Sequence, residues 1–221
     1  MQADRRERWA EHRSQRRLAM IDAAIGAIRR HGPALTMDDI ATEAGVAKPI
    51  LYRVFRDKAE LYRAVGSRVA EELLIPSLVQ ELARGRPPQE QIAAMIDTYL
   101  AIIESEPELY RFVVHPALDE RAVAPDLVGT YKQVTAEHLT RVIGAGLRDA
   151  GLDSGGAEPW AHALVGMVHE AGDWWIEHRT MSRRDLAAYL TSLVWGGFAE
   201  MYRRAGLDVP GTRPVVVQPG A

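Results

Sequence analysis

Lys48, Pro49, Ile50, Tyr52 and Arg53 put two cations, a phenol and two apolar side chains on one face of a short helical stretch. Ammonium and guanidinium groups suit phosphate oxygens and base edges, and apolar side chains suit thymine methyls, so this set can hold a nucleic-acid duplex. A second set, His162, His169 and Asp173, is spaced by seven and four residues, which places it on one helix face. Imidazole and carboxylate at i, i+4 can take a metal. No further ligand follows at matching spacing, so a satisfied core histidine or a polar handle in an apolar pocket is expected, and no metal. Catalytic sets are missing. There is no cysteine and no Gly-x-Ser-x-Gly elbow, the glycines of 144–156 follow no strand, and Glu104 and Glu106 have no evident partner. Neither catalysis nor a cofactor is expected.

The elements that must position these residues belong to a 221-residue chain, 47% apolar and 26% charged, enough for one large domain or two small ones. Its net charge of −3 hides an asymmetry. Residues 1–64 carry 13 Lys and Arg against 9 Asp and Glu, a surplus of +4, which leaves −7 on the remainder. A basic head on an acidic body is the footprint of nucleic-acid binding. Arginine outnumbers lysine 24 to 3 along the whole chain, a compositional bias rather than a local signal. The longest late uncharged run, Leu186 to Ala199, has fourteen residues, too few for a membrane span. The polar opening Met1–Arg6 has no apolar core, so no secretory signal and a cytoplasmic protein are expected.

Helical spacing dominates. Residues 1–17 are a polar arm with Arg5, Arg6, Arg8, Arg13, Arg16 and Arg17, expected either to stay solvated or to reach a minor groove. Leu18, Ile21, Ile25 and Ile28 mark the first helix, stopped by His31-Gly32-Pro33. Thr36 followed by Asp39 caps a second, with Asp38 and Asp39 at its positive dipole end, and Gly45 supplies the left-handed turn that ends it. A third spans about Lys48–Phe55, and Asp57 caps a fourth that Pro76 should bend or break. Further helices are expected near Ile92–Ile103, Glu108–Val114, Leu127–Gly151, Glu158–His178 and Ser182–Ala205, then a loose tail over 206–221. The expected fold is all-α, with about nine helices: a helix-turn-helix head over 18–64 and a larger helical bundle over 65–205.

Two helices joined by a tight glycine turn form a corner whose second rod is free to enter a major groove. The residues of this corner are Thr36, Ile40-Ala41, Ala44-Gly45-Val46, Leu51-Tyr52, Phe55, Lys58 and Leu61. Here the sequence resembles the TetR family of bacterial transcriptional regulators, with eleven positions matching its signature and every spacing kept. The resemblance implies that Thr36 and Lys58 hold phosphates, that Tyr52 presses on the backbone, and that Ala47, Lys48, Pro49 and Ile50 lie where the family reads base edges. Many members carry a small residue and a threonine in place of Pro49 and Ile50, so apolar contact is the expected readout here. Val54 stands where a histidine or tyrosine is frequent, and Arg53 is expected to supply that phosphate contact. Taken singly, Thr36 is a helix cap, Lys58 a solvated cation and Tyr52 a half-buried ring. The joint spacing carries the DNA reading.

For the body, the resemblance implies a pocket for a small effector and a four-helix dimer seam. The expected pocket wall is Ile96, Tyr99, Leu100, Ile103, Phe112, Val113, Tyr131, Val134, Leu164, Val168, His169 and Trp174. The expected seam is Leu186, Leu190, Leu193, Gly197 and Met201 on the last helix. The stretch LVGMVHEAGDWW and Trp195-Gly196-Gly197 resemble members that answer to fatty acyl thioesters. The expected function is a homodimeric repressor of a palindromic operator in double-stranded DNA, released by a small apolar effector, with no membrane partner. Two other readings stay open: an effector-independent activator or nucleoid-type protein, favoured by a body without an enclosed cavity, and a helical adaptor whose head binds no DNA.

Overall fold

A computed structural model describes residues 2–115 and 127–211, with the side chains of 2–8 and 127 left aside. The expected tail from 212 onward and the side chains of Arg5, Arg6 and Arg8 lie outside the described residues. The helices are α1 (Gln2–His31), α2 (Met37–Glu43), α3 (Lys48–Val54), α4 (Lys58–Val69), α5 (Ile75–Ala83), α6 (Pro88–Ser105), α7 (Pro107–Val114), α8 (Leu127–Asp149), α9 (Ala157–His178) and α10 (Arg183–Arg204), with a π turn (Ala70–Leu74) between α4 and α5. With Lys58–Ala83 taken as one rod, the described residues form nine helical rods.

Two features differ from the expectation. The residues expected as a polar arm are the first half of α1, which runs unbroken for 30 residues. That stretch contains no proline or glycine, and arginine, glutamate, glutamine and alanine are strong helix formers. The break expected at Pro76 appears one turn earlier. The Ile75 N–H reaches back to the Ala70 carbonyl, five residues away, rather than the usual four. Proline lacks an N–H and crowds the preceding turn, and a widened turn accommodates both defects without ending the helix.

The chain divides into two compact units, Met1–Ile75 with Ser105–Tyr131, and Pro76–Glu104 with Lys132–Ala221. The first is larger than the expected 18–64 head. It takes in all of α4, whose Val65 is fully buried, and α7, whose Leu109 and Phe112 join the same core. That core runs from Met20, Ile21 and Ile28 on α1 through Ile40, Leu51 and Phe55 to Leu61 and Tyr62. The Tyr62 hydroxyl donates to the Val113 carbonyl, and its ring lies 5.2 Å from that of Phe112. In the second unit, α6 and α9 approach closely at Gly172. A Cβ there would meet Ile103 Cδ1 at 3.0 Å and Tyr99 Cε1 at 3.1 Å, so only glycine fits without a shift. Arg183 bridges to Asp97 at 2.9 Å and Glu104 at 3.0 Å, tying α10 to α6. Among the described residues, no helix is long and apolar enough to cross a membrane.

Candidate nucleic-acid interface

Local chemistry shapes the corner. The Thr36 hydroxyl accepts the Asp39 N–H at 3.2 Å, while the Asp39 carboxylate accepts the Thr36 N–H at 2.9 Å, a complete capping box. The Thr36 hydroxyl and N–H together hold the Asp39 carboxyl below the usual aspartate range. At the other end of α2, Gly45 has φ +62°; its N–H bonds Thr42 at 3.1 Å and the Val46 N–H bonds Ala41 at 3.0 Å. This is the paired closure that only a left-handed residue permits. The chain then turns into α3, which starts at Lys48 with Pro49 in its first turn and no side-chain cap from Ala47. Leu51 and Phe55 are fully buried beneath it. They anchor α3 to the head and leave its other face outward.

On that outward face, Ala47, Lys48, Pro49, Tyr52 and Arg53 are exposed, with Tyr52 at 42%. Thr36 is exposed at the start of α2, and Lys58 is half-buried at the first position of α4. Ile50 differs from the expectation of an outward base-reading residue. It is half-buried and packs against the head core, because α3 has only seven residues and buries one flank as well as its underside. The Lys48 ammonium stands 2.7 Å from the Asp38 carboxylate, which raises its pKa.

A brace behind α3 had no local sequence signal. Arg17 of α1 donates to the Val54 carbonyl at 3.0 Å and to Glu60 at 3.1 Å, and its guanidinium lies 4.4 Å from the centre of the Phe55 ring. Its partners stand 37 and 43 residues away, beyond the reach of helical periodicity. Glu60 also accepts the Arg56 N–H at 3.0 Å and Arg56 Nε at 3.2 Å. The Arg56 backbone N–H first, then the Arg56 and Arg17 guanidiniums, hold the Glu60 carboxyl below the usual glutamate range. The last carbonyls of a helix lack intrahelical partners, and Arg17 satisfies one of them at the end of α3.

In the body, the expected pocket wall comes apart. Phe112, with Val113 packed against the same cluster, belongs to the head core; α7 presents this apolar side to α1 and α4. Tyr131 is half-buried at the end of the first unit. Val134 is 55% exposed, and Trp174 is 43% exposed and stacked on His178 one turn along its own helix, so neither walls an interior. Ile96, Leu100 and Ile103 are buried, whereas Tyr99, Leu164, Val168 and His169 are half-buried. The Tyr99 hydroxyl and His169 Nδ1 pair at 3.1 Å. Two open recesses, of about 200 and about 350 Å³, lie on the first unit, and none of the expected pocket residues lines either. Among the described residues, no group of three or more acidic, histidine or cysteine side chains has metal-holding geometry.

The expected dimer stripe also shifts. Leu186 and Leu190 are 5% and 7% exposed, buried in their own chain, because the first turns of α10 pack inward. Leu193 is 67% exposed, Gly197 is exposed and Met201 half-buried. The open stripe runs instead through Tyr189, 65% exposed, Leu193 and Gly196, at i, i+4 and i+7.

Comparison with known proteins agrees with this geometry. The family described as "Bacterial regulatory proteins, tetR family" matches residues 20–65, and "Tetracyclin repressor-like, C-terminal domain" matches residues 78–211. An HTH-type transcriptional regulator of Mycobacterium tuberculosis is 36% identical over 202 residues, covering 91% of this chain and 85% of that protein. The HTH-type transcriptional activator FasR of Mycolicibacterium smegmatis is 28% identical over 191 residues, covering 86% of this chain and 85% of its own. Among solved structures, the transcriptional regulator FadR of Bacillus subtilis in complex with stearoyl-CoA shares the fold, with a TM-score of 0.62, 17% identity and coverage of 80% of this chain and 96% of that one. The chain thus belongs to the TetR family of helix-turn-helix transcriptional regulators, which bind DNA and are not enzymes.

Proposed function

We propose that the protein is a cytoplasmic homodimer that places two copies of α3 on a palindromic DNA operator and represses transcription until a small apolar effector, of the fatty acyl-thioester class, releases it. The observation that carries the reading is the α3 surface: a buried apolar underside fixes the helix while Lys48, Tyr52 and Arg53 stay open to a groove. Contact residues would be Thr36, Ala47, Lys48, Pro49, Tyr52, Arg53 and Lys58, with Ile50 at the edge of the groove. Pairing is supported by the open apolar stripe of Tyr189 and Leu193 beside Gly196 and Gly197, where a partner backbone meets no side chain. The acyl class is supported by the shared fold of a regulator bound to stearoyl-CoA and by the half-buried Tyr99–His169 pair, a polar handle between α6 and α9. An effector would act by favouring a dimer shape whose heads no longer match the operator spacing.

A second reading, activation of transcription without an effector, is favoured by the relative named as an activator. Selection of duplexes from a random pool, with and without a long-chain acyl-CoA, separates the two. Enrichment of an inverted repeat that the acyl-CoA releases supports the first reading. Enrichment that ignores the acyl-CoA supports the second, and retention of no duplex at low salt removes both.

A further inference from the structure

The Lys48–Asp38 pair sits on the surface assigned to DNA, where a carboxylate is out of place. Asp38 is not needed to cap α2: Asp39 and Thr36 complete the capping box between them. Its carboxylate is turned instead to Lys48, at 2.7 Å, with the two side chains 63% and 49% exposed. Lys48 stands at the first position of a short helix that has no side-chain cap, and the exposed carboxylate offsets the weak repulsion of its ammonium there at little consequence for stability. An ammonium has three N–H groups. One is committed to Asp38, which leaves two for an outside acceptor.

We propose that Asp38 is a positioning residue for sequence choice: it cancels the long-range charge of Lys48 and fixes the direction of its remaining N–H groups, turning a phosphate-seeking cation into a directional donor. A free lysine is a flexible point charge, attracted to any phosphate, and that attraction is independent of sequence. A lysine already held by a carboxylate brings little net charge to random DNA. It contributes where the duplex offers an acceptor at the angle its held ammonium demands, such as guanine O6 or N7. Asp38 thus lowers non-specific binding more than operator binding, and the pair stays intact in the complex.

The inference rests on the reading of α3 as the helix that meets DNA, and the test separates the two failures. Full-length wild type, Asp38→Asn, Lys48→Ala and the double variant are titrated with a random duplex and with the duplex selected above, over a range of salt. Thermal unfolding of all four is expected to coincide, since both side chains are exposed. Asp38→Asn should tighten the random duplex about five- to tenfold, steepen its salt dependence by about one released counterion per head and tighten the operator by less, so that discrimination falls several-fold. In the Lys48→Ala background the same change should leave discrimination unaltered. Equal tightening of both duplexes would reduce Asp38 to plain charge repulsion and overturn the proposal. A rise in discrimination would also overturn it, because the pair would then be one that must break on binding. If the wild type retains no duplex, both the inference and the reading beneath it fall.

Discussion

In the first unit, seventeen buried residues form one continuous core, drawn from α1, α2, α3, α4 and α7 and closed without help from outside the chain. The second unit holds more residues yet buries less completely. Among the described residues, two of the nine largest fully buried side chains, Trp175 and Leu100, lie there, while Ile92, Leu164, Met167 and Val168 stay half-covered and Trp174, Tyr189 and Leu193 stand open. The head must present α3 at a fixed angle, and a dense core transmits position with little give. A surface meant for a second copy or a ligand must keep apolar area uncovered until that partner arrives, and contiguous exposed apolar patches are rare without such a role. On the proposed reading, the difference in burial is a difference in task.

Four substitutions break or sharpen this contrast. The largest effect is expected from Phe55→Ala. Its ring is fully buried and lies beneath the Arg17 guanidinium, so urea unfolding should show a loss of about 3–5 kcal/mol, with DNA binding lost alongside. A loss under about 1 kcal/mol would deny the core its continuity. Next, Leu193→Asp would place an unpaired carboxylate in the proposed seam. Sedimentation should show dimer affinity weakened roughly 100-fold while the head melts unchanged, and an unaltered dimer would move the seam elsewhere.

In the body, Gly172→Val should cost about 1–3 kcal/mol by driving Ile103 and Tyr99 from α9, and the spectral signature of the Tyr99–His169 pair should change with it. A variant of wild-type stability would show that the helices there have room to separate. The smallest effect belongs to Glu60→Gln, at about 1 kcal/mol near neutral pH. Glu60 has a lowered folded-state pKa, so its contribution is complete above the unfolded glutamate value and is lost as the pH falls through the lower folded value. The melting temperature of wild type should fall towards that of the variant over this acid window. Parallel curves throughout would remove the brace from the account of head stability.

Thr36, Asp39, Gly45 and Asp57 announced their elements because caps and left-handed turns act over three or four residues, and the structure closes each with the expected hydrogen bonds. Arg17 reads as part of a polar arm because nothing near it in sequence names Val54 or Glu60 as partners. Phe112 was assigned to a ligand wall because its helical stripe looks the same whether it faces the body or the head. Leu186 and Leu190, expected on the dimer stripe, are covered by their own chain for a related reason. Apolar spacing along α10 marks two adjacent faces, and only packing shows which of them the chain covers for itself.

The amino-acid order by itself determined the all-α class, the capped starts of α2, α4 and α10 and the family-specific corner, since those depend on backbone propensities and hydrogen bonds between near neighbours. Tertiary packing decided that α7 serves the head, that Arg17 braces α3, that Lys48 is held by Asp38, and which face of α10 stays open. These features are set by which surfaces meet once the helices dock, beyond the three or four residues over which caps and turns act, and no local pattern encodes that choice.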